Sequence, residues 1–320
     1  KERVLAKAYA PPTVHNGKRA KLCKMFVEGL AKKDTTEPTC ERLQDYHSCK
    51  KLGGGKQGKV YKCYDAEQMP VVVKHSTRKR DNMARNEVLL ACELGLLRDF
   101  NVADTFVDIF DYCQCDTPDQ HPEAFRNSSH PISTLGAFSI MELVATDPWG
   151  THAGFNSYAL FELVYSIVAA HLVESHVRDL QGKHIGWSEE ATYRRYSVGN
   201  SSLVLPPGRR LRIFDVATFK MHHLSKDAGI KELLQASKYF HVFGKSGYIT
   251  APAYSLYEWT KTSMSAMTPT AALEALIKHM QSSDNPEITT KLPAEGSVRE
   301  YALPVDTTAM NSIFPYVNSP

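Results

Sequence analysis

The 320 residues contain no uninterrupted apolar run long enough to span a bilayer. The most apolar stretch, Leu163 to Val173, is closed by Glu162 and Glu174 and falls well short of the roughly twenty residues a hydrocarbon core requires. The opening residues are not expected to act as a secretory leader. The two glycosylation sequons, Asn127-Ser128-Ser129 and Asn200-Ser201-Ser202, are therefore expected to go unused. Cysteine is absent from residue 116 onward. The seven that precede it, Cys23, Cys40, Cys49, Cys63, Cys92, Cys113 and Cys115, are odd in number and irregularly spaced, which predicts free thiols in a reducing compartment rather than a disulfide framework. No common zinc spacing occurs: Cys113-Gln114-Cys115 with His121 and His130 matches none. Strong charge of one sign is lacking too, at a net +3. The first fifty residues hold eleven Lys/Arg against six Asp/Glu, and their basic cluster (Lys18, Arg19, Lys21, Lys24) reads as a solvated face ahead of a nucleic-acid patch. These absences predict a soluble intracellular chain, cytoplasmic or nuclear, with neither membrane nor nucleic acid as partner.

What is present is enough apolar residue, 42% of the chain, to build one large domain or two lobes. The most informative stretch is Lys51 to Lys74. Gly53, Gly55 and Gly58 stand in the spacing G-x-G-x-x-G, Val60 follows, and Lys74 closes a Val-Val-Val run. Glycines at that spacing let backbone N–H groups approach phosphate oxygens without a Cβ in the way. The flanks alternate as strands, Lys59 to Tyr64 and Val71 to Lys74, with a turn at Asp65–Pro70 between them. A dinucleotide-binding loop would instead open a helix.

Strand, glycine turn, strand, turn and strand with a terminal lysine resembles the nucleotide-covering hairpin of protein kinases. The rest of the chain extends the resemblance, which covers roughly residues 48–255. A helical run from Asn82 to Arg98 follows Lys74. A lysine buried at a strand end needs a carboxylate, and the family places a Glu on this helix, which points to Glu87, with Glu93 as the fallback. Phe106 to Cys113 and Ala137 to Leu143 alternate as strands around an inserted loop at 114–135. Ser139 to Leu143 resembles the strand entering the hinge, so that Met141 borders the adenine pocket and backbone groups of Glu142 to Val144 meet the base. Asn156 to Ser175 is apolar around most of its circumference and reads as a buried central helix.

That helix leads to Arg178-Asp179-Leu180, which matches the kinase catalytic loop. Val177 replaces the family's His, and His184 stands where Asn is expected. The resemblance makes Asp179 the base for the attacking hydroxyl, beside Lys74 and Glu87. Ser202 to Leu205, a Pro-Pro-Gly turn and Leu211 to Asp215 read as strand, turn, strand. In the family this hairpin ends in Asp-Phe-Gly; here Asp215-Val216-Ala217 keeps only the metal-binding Asp. Imidazole is a softer ligand than an amide oxygen, so His184 predicts a weakened second metal site with a relative preference for Mn2+ over Mg2+. Residues 187–200 look like an insertion, and Arg194-Arg195-Tyr196-Ser197 within it reads as an exposed basic loop or a phosphorylation site. Ala251-Pro252-Ala253 resembles the end of an activation segment without its Glu, and helices are expected at Ser255–Ser265 and Pro269–Gln281.

The implied architecture is α+β and two-lobed: a small antiparallel sheet with one helix, then a short, mainly helical lobe. Its divisions are a basic extension at 1–47, a nucleotide-binding lobe at 48–143, a helical lobe at 144–285 and an extended tail at 286–320. The implied activity is transfer of the ATP γ-phosphate to a Ser/Thr hydroxyl of a protein substrate, with Mg2+ or Mn2+, and the extension or tail is available to a partner protein. A pseudokinase that binds nucleotide or a partner is the alternative. A short second lobe with large insertions is similar in style to kinases encoded by large DNA viruses.

Overall fold

The computed structural model describes residues 22–23, 40–55, 58–77, 81–115, 136–145, 155–173, 175–178, 180–216, 220–221, 224–225, 227–240, 249–282, 287–288 and 298–304. Residues 116–135 of the inserted loop, most of the basic extension at 1–47 and Asp179 lie outside them. The fold is mixed α+β and its sheets are mainly antiparallel. The chain divides into two compact units, one formed by 1–92 with 107–143, the other by 93–106 with 144–320.

The first unit is built on a five-stranded antiparallel sheet in the order β1-β2-β3-β5-β4. Its strands are β1 His47–Gly55, β2 Gly58–Tyr64, β3 Pro70–Thr77, β4 Ile109–Cys115 and β5 Gly136–Glu142. Period-two alternation sorts the side chains. Tyr61, Cys63, Val71, Val73, Phe138 and Ile140 are buried on one face together with Cys40, Leu43 and Tyr46 of a 3-10 turn at Cys40–Asp45. Helix α1, Asp81–Asp99, begins in this unit, with Ala84, Glu87, Val88, Leu90, Ala91 and Cys92 buried.

The free-thiol expectation is corrected here. Six of the seven cysteines pair, as Cys23–Cys92, Cys40–Cys115 and Cys49–Cys63, and buried Cys113 keeps its thiol. The partners lie 69, 75 and 14 residues apart, a connectivity that spacing alone cannot specify. All six belong to the first unit. Their confinement to the start of the chain, read as irregularity, reflects which residues fold together.

The second unit is organised on helix α2, Ser157–Leu172, which Asn156 caps by accepting the Ala159 N–H at 2.9 Å. Its residues 157–171 are all buried, as the sequence pattern implies. Helices α3 Ile230–Ala236, α4 Ala251–Ser263 and α5 Pro269–Ser282 complete the helical part. Thr250 caps α4 and Pro252 sits in its first turn, so Ala251-Pro252-Ala253 is a helix start. The unit also carries β6 Ser175–His176, β7 Ile185–Glu190, β8 Tyr193–Val198, β9 Ser201–Leu205, β10 Gly208–Ile213, β11 Lys220–Met221 and β12 Val298–Ala302. It holds more strand than a mainly helical lobe would.

The expected hairpin of 202–205 with 211–215 does not form. β9 pairs with β8, and β10 pairs with β7. Residues 187–200 are thus most of β7 and β8, the strands that take β10 and β9 as partners, and not a loop. Arg194 and Tyr196 are buried rather than exposed. Both reach Glu162 on α2, at 2.8 and 2.7 Å, and the Leu211 N–H donates to the same carboxylate at 3.1 Å. A charge buried in an apolar helix persists only with such partners. Within the segment assigned to a tail, β12 runs parallel to β8.

A second buried charge group surrounds Asp104. Its carboxylate meets Arg98, Arg210, Arg212 at 3.2 Å and Arg299 at 3.1 Å, and it accepts from the Tyr301 hydroxyl at 3.3 Å. Burial pushes the Asp104 carboxyl upward, but Arg210, Arg98 and Arg212 together outweigh it and hold the group well below the usual carboxylate range.

Candidate functional site

The residues singled out in the sequence fall into two sets, one in each unit. In the first unit the β1–β2 hairpin pairs Gly53 with Val60 and Gly55 with Gly58, leaving two residues, 56–57, as its connection. The glycines are not equivalent. Gly58 has φ +156°, and a Cβ there would run into the His75 carbonyl of β3, whereas a Cβ on Gly53 would meet nothing. Gly58 is required by the close approach of β2 to β3. Gly53 keeps backbone open at the surface of the hairpin.

Register carries the set across the sheet. Val60 is opposite Lys74, and Lys74 is opposite Ser139. Residues directly opposite share a face, so Val60 and Lys74 project on the side away from the buried cluster. Lys74 Nζ donates to both carboxylate oxygens of Glu87, at 2.8 and 2.9 Å. Both side chains are largely buried, at 13% and 3% exposure, so the ammonium is held in place by a desolvated counter-charge rather than by a screened surface pair. Glu93, the fallback, instead accepts the Ser175 hydroxyl at 2.9 Å. Met141 lies opposite Val72, two residues before Lys74 and therefore on its face. Val72 is an apolar neighbour that the alternation predicts but that was hidden inside the Val-Val-Val run. At Glu142 the backbone N–H donates to the Asp108 carbonyl at 2.9 Å, and its carboxylate accepts the Asp108 N–H at 3.3 Å.

In the second unit Val144 is buried, and the Cβ absent from Gly186 would overlap its Cγ2. This close approach lets Ala145 exchange both backbone hydrogen bonds with Trp187, at 3.0 and 2.9 Å. The β7–β10 register ends with Ile185 opposite Ile213, which brings the preceding His184 beside the following Phe214 and Asp215. The Phe214 N–H donates to the His184 carbonyl at 3.0 Å. His184 Nε2 lies 3.3 Å from Asp215 Oδ2. Asp215 adopts φ +59°, a left-handed conformation that non-glycine residues hold at a cost of about 1–3 kcal/mol and that concentrates at functional positions.

The chemistry of this pair suits a divalent cation. Two donors on adjacent vertices of an octahedron with metal–ligand bonds of about 2.1 Å lie about 3 Å apart. The observed Nε2–Oδ2 separation of 3.3 Å lets one ion take both. Among the described residues no cluster of three or more His, Cys, Asp or Glu is arranged for a metal.

Asp179 lies outside the described residues. Around it, the Leu180 N–H donates to the Ser237 carbonyl at 3.0 Å, Val177 is buried, and β6 pairs with β11 through His176 and Lys220. His176 Nδ1 is 3.3 Å from His171 Nδ1 at the end of α2. This buried imidazole pair was not foreseen, because its two members matter only once the helix end and β6 are side by side. No family model matches the sequence, and no curated protein matches it.

Proposed function

We propose that this chain is an ATP-dependent protein kinase that transfers the γ-phosphate to a Ser/Thr hydroxyl, and that it works in an oxidising compartment. The observation that carries the first part is the buried Lys74–Glu87 pair on the sheet face where Val60 stands in register behind a glycine hairpin. Gly58 serves the sheet itself, but a sheet as such needs neither a buried Lys74–Glu87 pair nor a glycine at 53. Together they are what binding a triphosphate needs: backbone N–H groups over the phosphates, a fixed ammonium for their oxygens, and apolar surface at Val60, Val72 and Met141 for the base.

In this reading Asp179 orients the acceptor hydroxyl and takes its proton as the hydroxyl oxygen bonds to the γ-phosphorus and the bond to the β–γ bridging oxygen breaks, releasing ADP. Lys74 neutralises phosphate charge, and Glu87 keeps Lys74 from reorienting. Asp215 and His184 would hold Mg2+ or Mn2+, which supplies further neutralisation of the phosphate oxygens. Most of the rate enhancement then comes from positioning and electrostatics. The three disulfides support the compartment, because such bonds persist where thiols are not kept reduced. No helix among the described residues is long and apolar enough to cross a membrane.

The test is incubation with ATP and generic protein acceptors, with Lys74→Ala and Asp179→Asn alongside. Transfer abolished by both changes supports the reading. ATP binding without transfer makes the chain a pseudokinase. His184 gives a finer check: turnover should favour Mn2+ over Mg2+, and His184→Asn should shift the preference toward Mg2+. Equal metal dependence in both proteins would remove His184 from the metal site.

A further inference from the structure

The three disulfides change the meaning of one sequence motif. Asn200-Ser201-Ser202 is a formal acceptor for N-linked oligosaccharide, expected to be idle in a reducing compartment. The structure places it at the tip of the β8–β9 hairpin. β8 ends at Val198, β9 begins at Ser201, and these two residues are opposite one another, so Gly199 and Asn200 form the whole connection. Gly199 has φ +53° and sits over the Glu274 carboxylate, which turns the chain tightly and projects Asn200 outward. Asn200 and Ser202 are exposed, whereas Ser201 between them is buried and Leu203 after them is buried. The period of two therefore puts the acceptor amide and the recognition hydroxyl on the solvent side together. The Ser202 carbonyl accepts from Gln281 at 2.8 Å, which ties down the backbone without using either side chain.

We propose that Asn200 carries an N-linked oligosaccharide, acquired in the lumen of a eukaryotic secretory pathway where the three disulfides also form. The donor is a lipid-linked oligosaccharide diphosphate acted on by the host transferase. The Asn200 Nδ2–C1 bond forms, the C1–O bond to the diphosphate breaks, and the amide gives up one proton. A hairpin tip accepts so bulky a group without burying it, and the apolar side of β9, Leu203 and Leu205, is left untouched. In the neighbouring basic tract at 194–197, by contrast, Arg194 and Tyr196 are buried in β8. The proposal rests on the oxidising-compartment reading and not on phosphoryl transfer.

The experiment expresses the full chain behind a cleavable secretion leader in a eukaryotic cell line and recovers the secreted and lumenal protein. Thiol alkylation before and after reduction counts the disulfides. Peptide-N-glycosidase treatment in heavy-oxygen water, followed by peptide mapping, reads Asn200 directly as labelled Asp. We expect three disulfides and a labelled residue 200. Asn200→Gln and Ser202→Ala should each remove the corresponding mobility shift, and the glycosylated protein should unfold at the same temperature as the enzymatically deglycosylated one. Protein with its disulfides formed but Asn200 unlabelled overturns the glycan alone. Protein recovered with all seven thiols alkylatable before reduction overturns the compartment, and the proposal with it. Neither result bears on transfer from ATP. If export of a variant fails, the map of the parent protein still decides the site.

Discussion

Replacing Asp104 by asparagine keeps the side-chain shape and removes one negative charge from the middle of four guanidinium groups. Asp104 is 5% exposed, as is Arg210, and Arg212 is 1% exposed, so the uncompensated charge has little access to water. A buried ion pair adds little over an apolar pair of the same shape, but removing one partner is costly, about 3–5 kcal/mol. At about 2–4 °C per kcal/mol for a domain of 150–250 residues, the Asn variant should melt roughly 6–20 °C below the parent. The carboxyl's folded-state pKa is depressed, so its contribution is complete above the unfolded value of about 4 and is lost as pH falls toward the folded one. Parent stability should therefore be insensitive to this group from pH 8 down to about 4, and part of the decline below that should be missing in the variant. Thermal unfolding followed by far-ultraviolet circular dichroism across pH 2–8 reads both effects. A variant melting within about 2 °C of the parent at pH 7 would mean that the arginines find other partners and that the cluster is not held by Asp104.

Three further outcomes follow from particular contacts. Gly58→Ala forces a Cβ into the His75 carbonyl and should lower stability and ATP affinity together, whereas Gly53→Ala should leave stability within about 1 kcal/mol; equal effects in a melting and nucleotide-binding assay would refute the distinction. Arg194→Leu breaks the buried pair with Glu162 and should cost about 3–5 kcal/mol, while Arg195→Leu removes an exposed pair with Glu300 worth about 0–1 kcal/mol; urea denaturation separates them. Reduction should destabilise most through Cys23–Cys92 and Cys40–Cys115. Their loops of 69 and 75 residues imply about 4 kcal/mol each in the chain-entropy estimate, against about 3 for the 14-residue loop of Cys49–Cys63. Paired Cys→Ser variants compared by unfolding midpoint would show the reverse order if native-state packing dominates.

Local chemistry was enough to read the parts whose order along the chain is also their order in space. Alternation located β2, β3 and β5 and the apolar circumference located α2, while the choice of Glu87 over Glu93 as the partner of Lys74 came from the resemblance to protein kinases. The periodic elements need only neighbours within a few tens of residues and a fixed period. Pairings between distant segments were illegible. The β9–β10 turn looked like a hairpin because nothing in 202–215 says that β10 pairs back to β7 while β9 is taken by β8 through the Gly199–Asn200 turn, and Arg194 looked solvated because its counter-charge, Glu162, lies 32 residues earlier on another element. The cysteines carried the same ambiguity: six thiols can be joined in many ways, and only the folded first unit brings Cys40 to Cys115. The sequence by itself determined the periodic elements and the residue types able to bind phosphate. Tertiary structure decided which charges are buried, which strands pair and which thiols meet, because those energies depend on burial and distance, and neither is a local property of the chain.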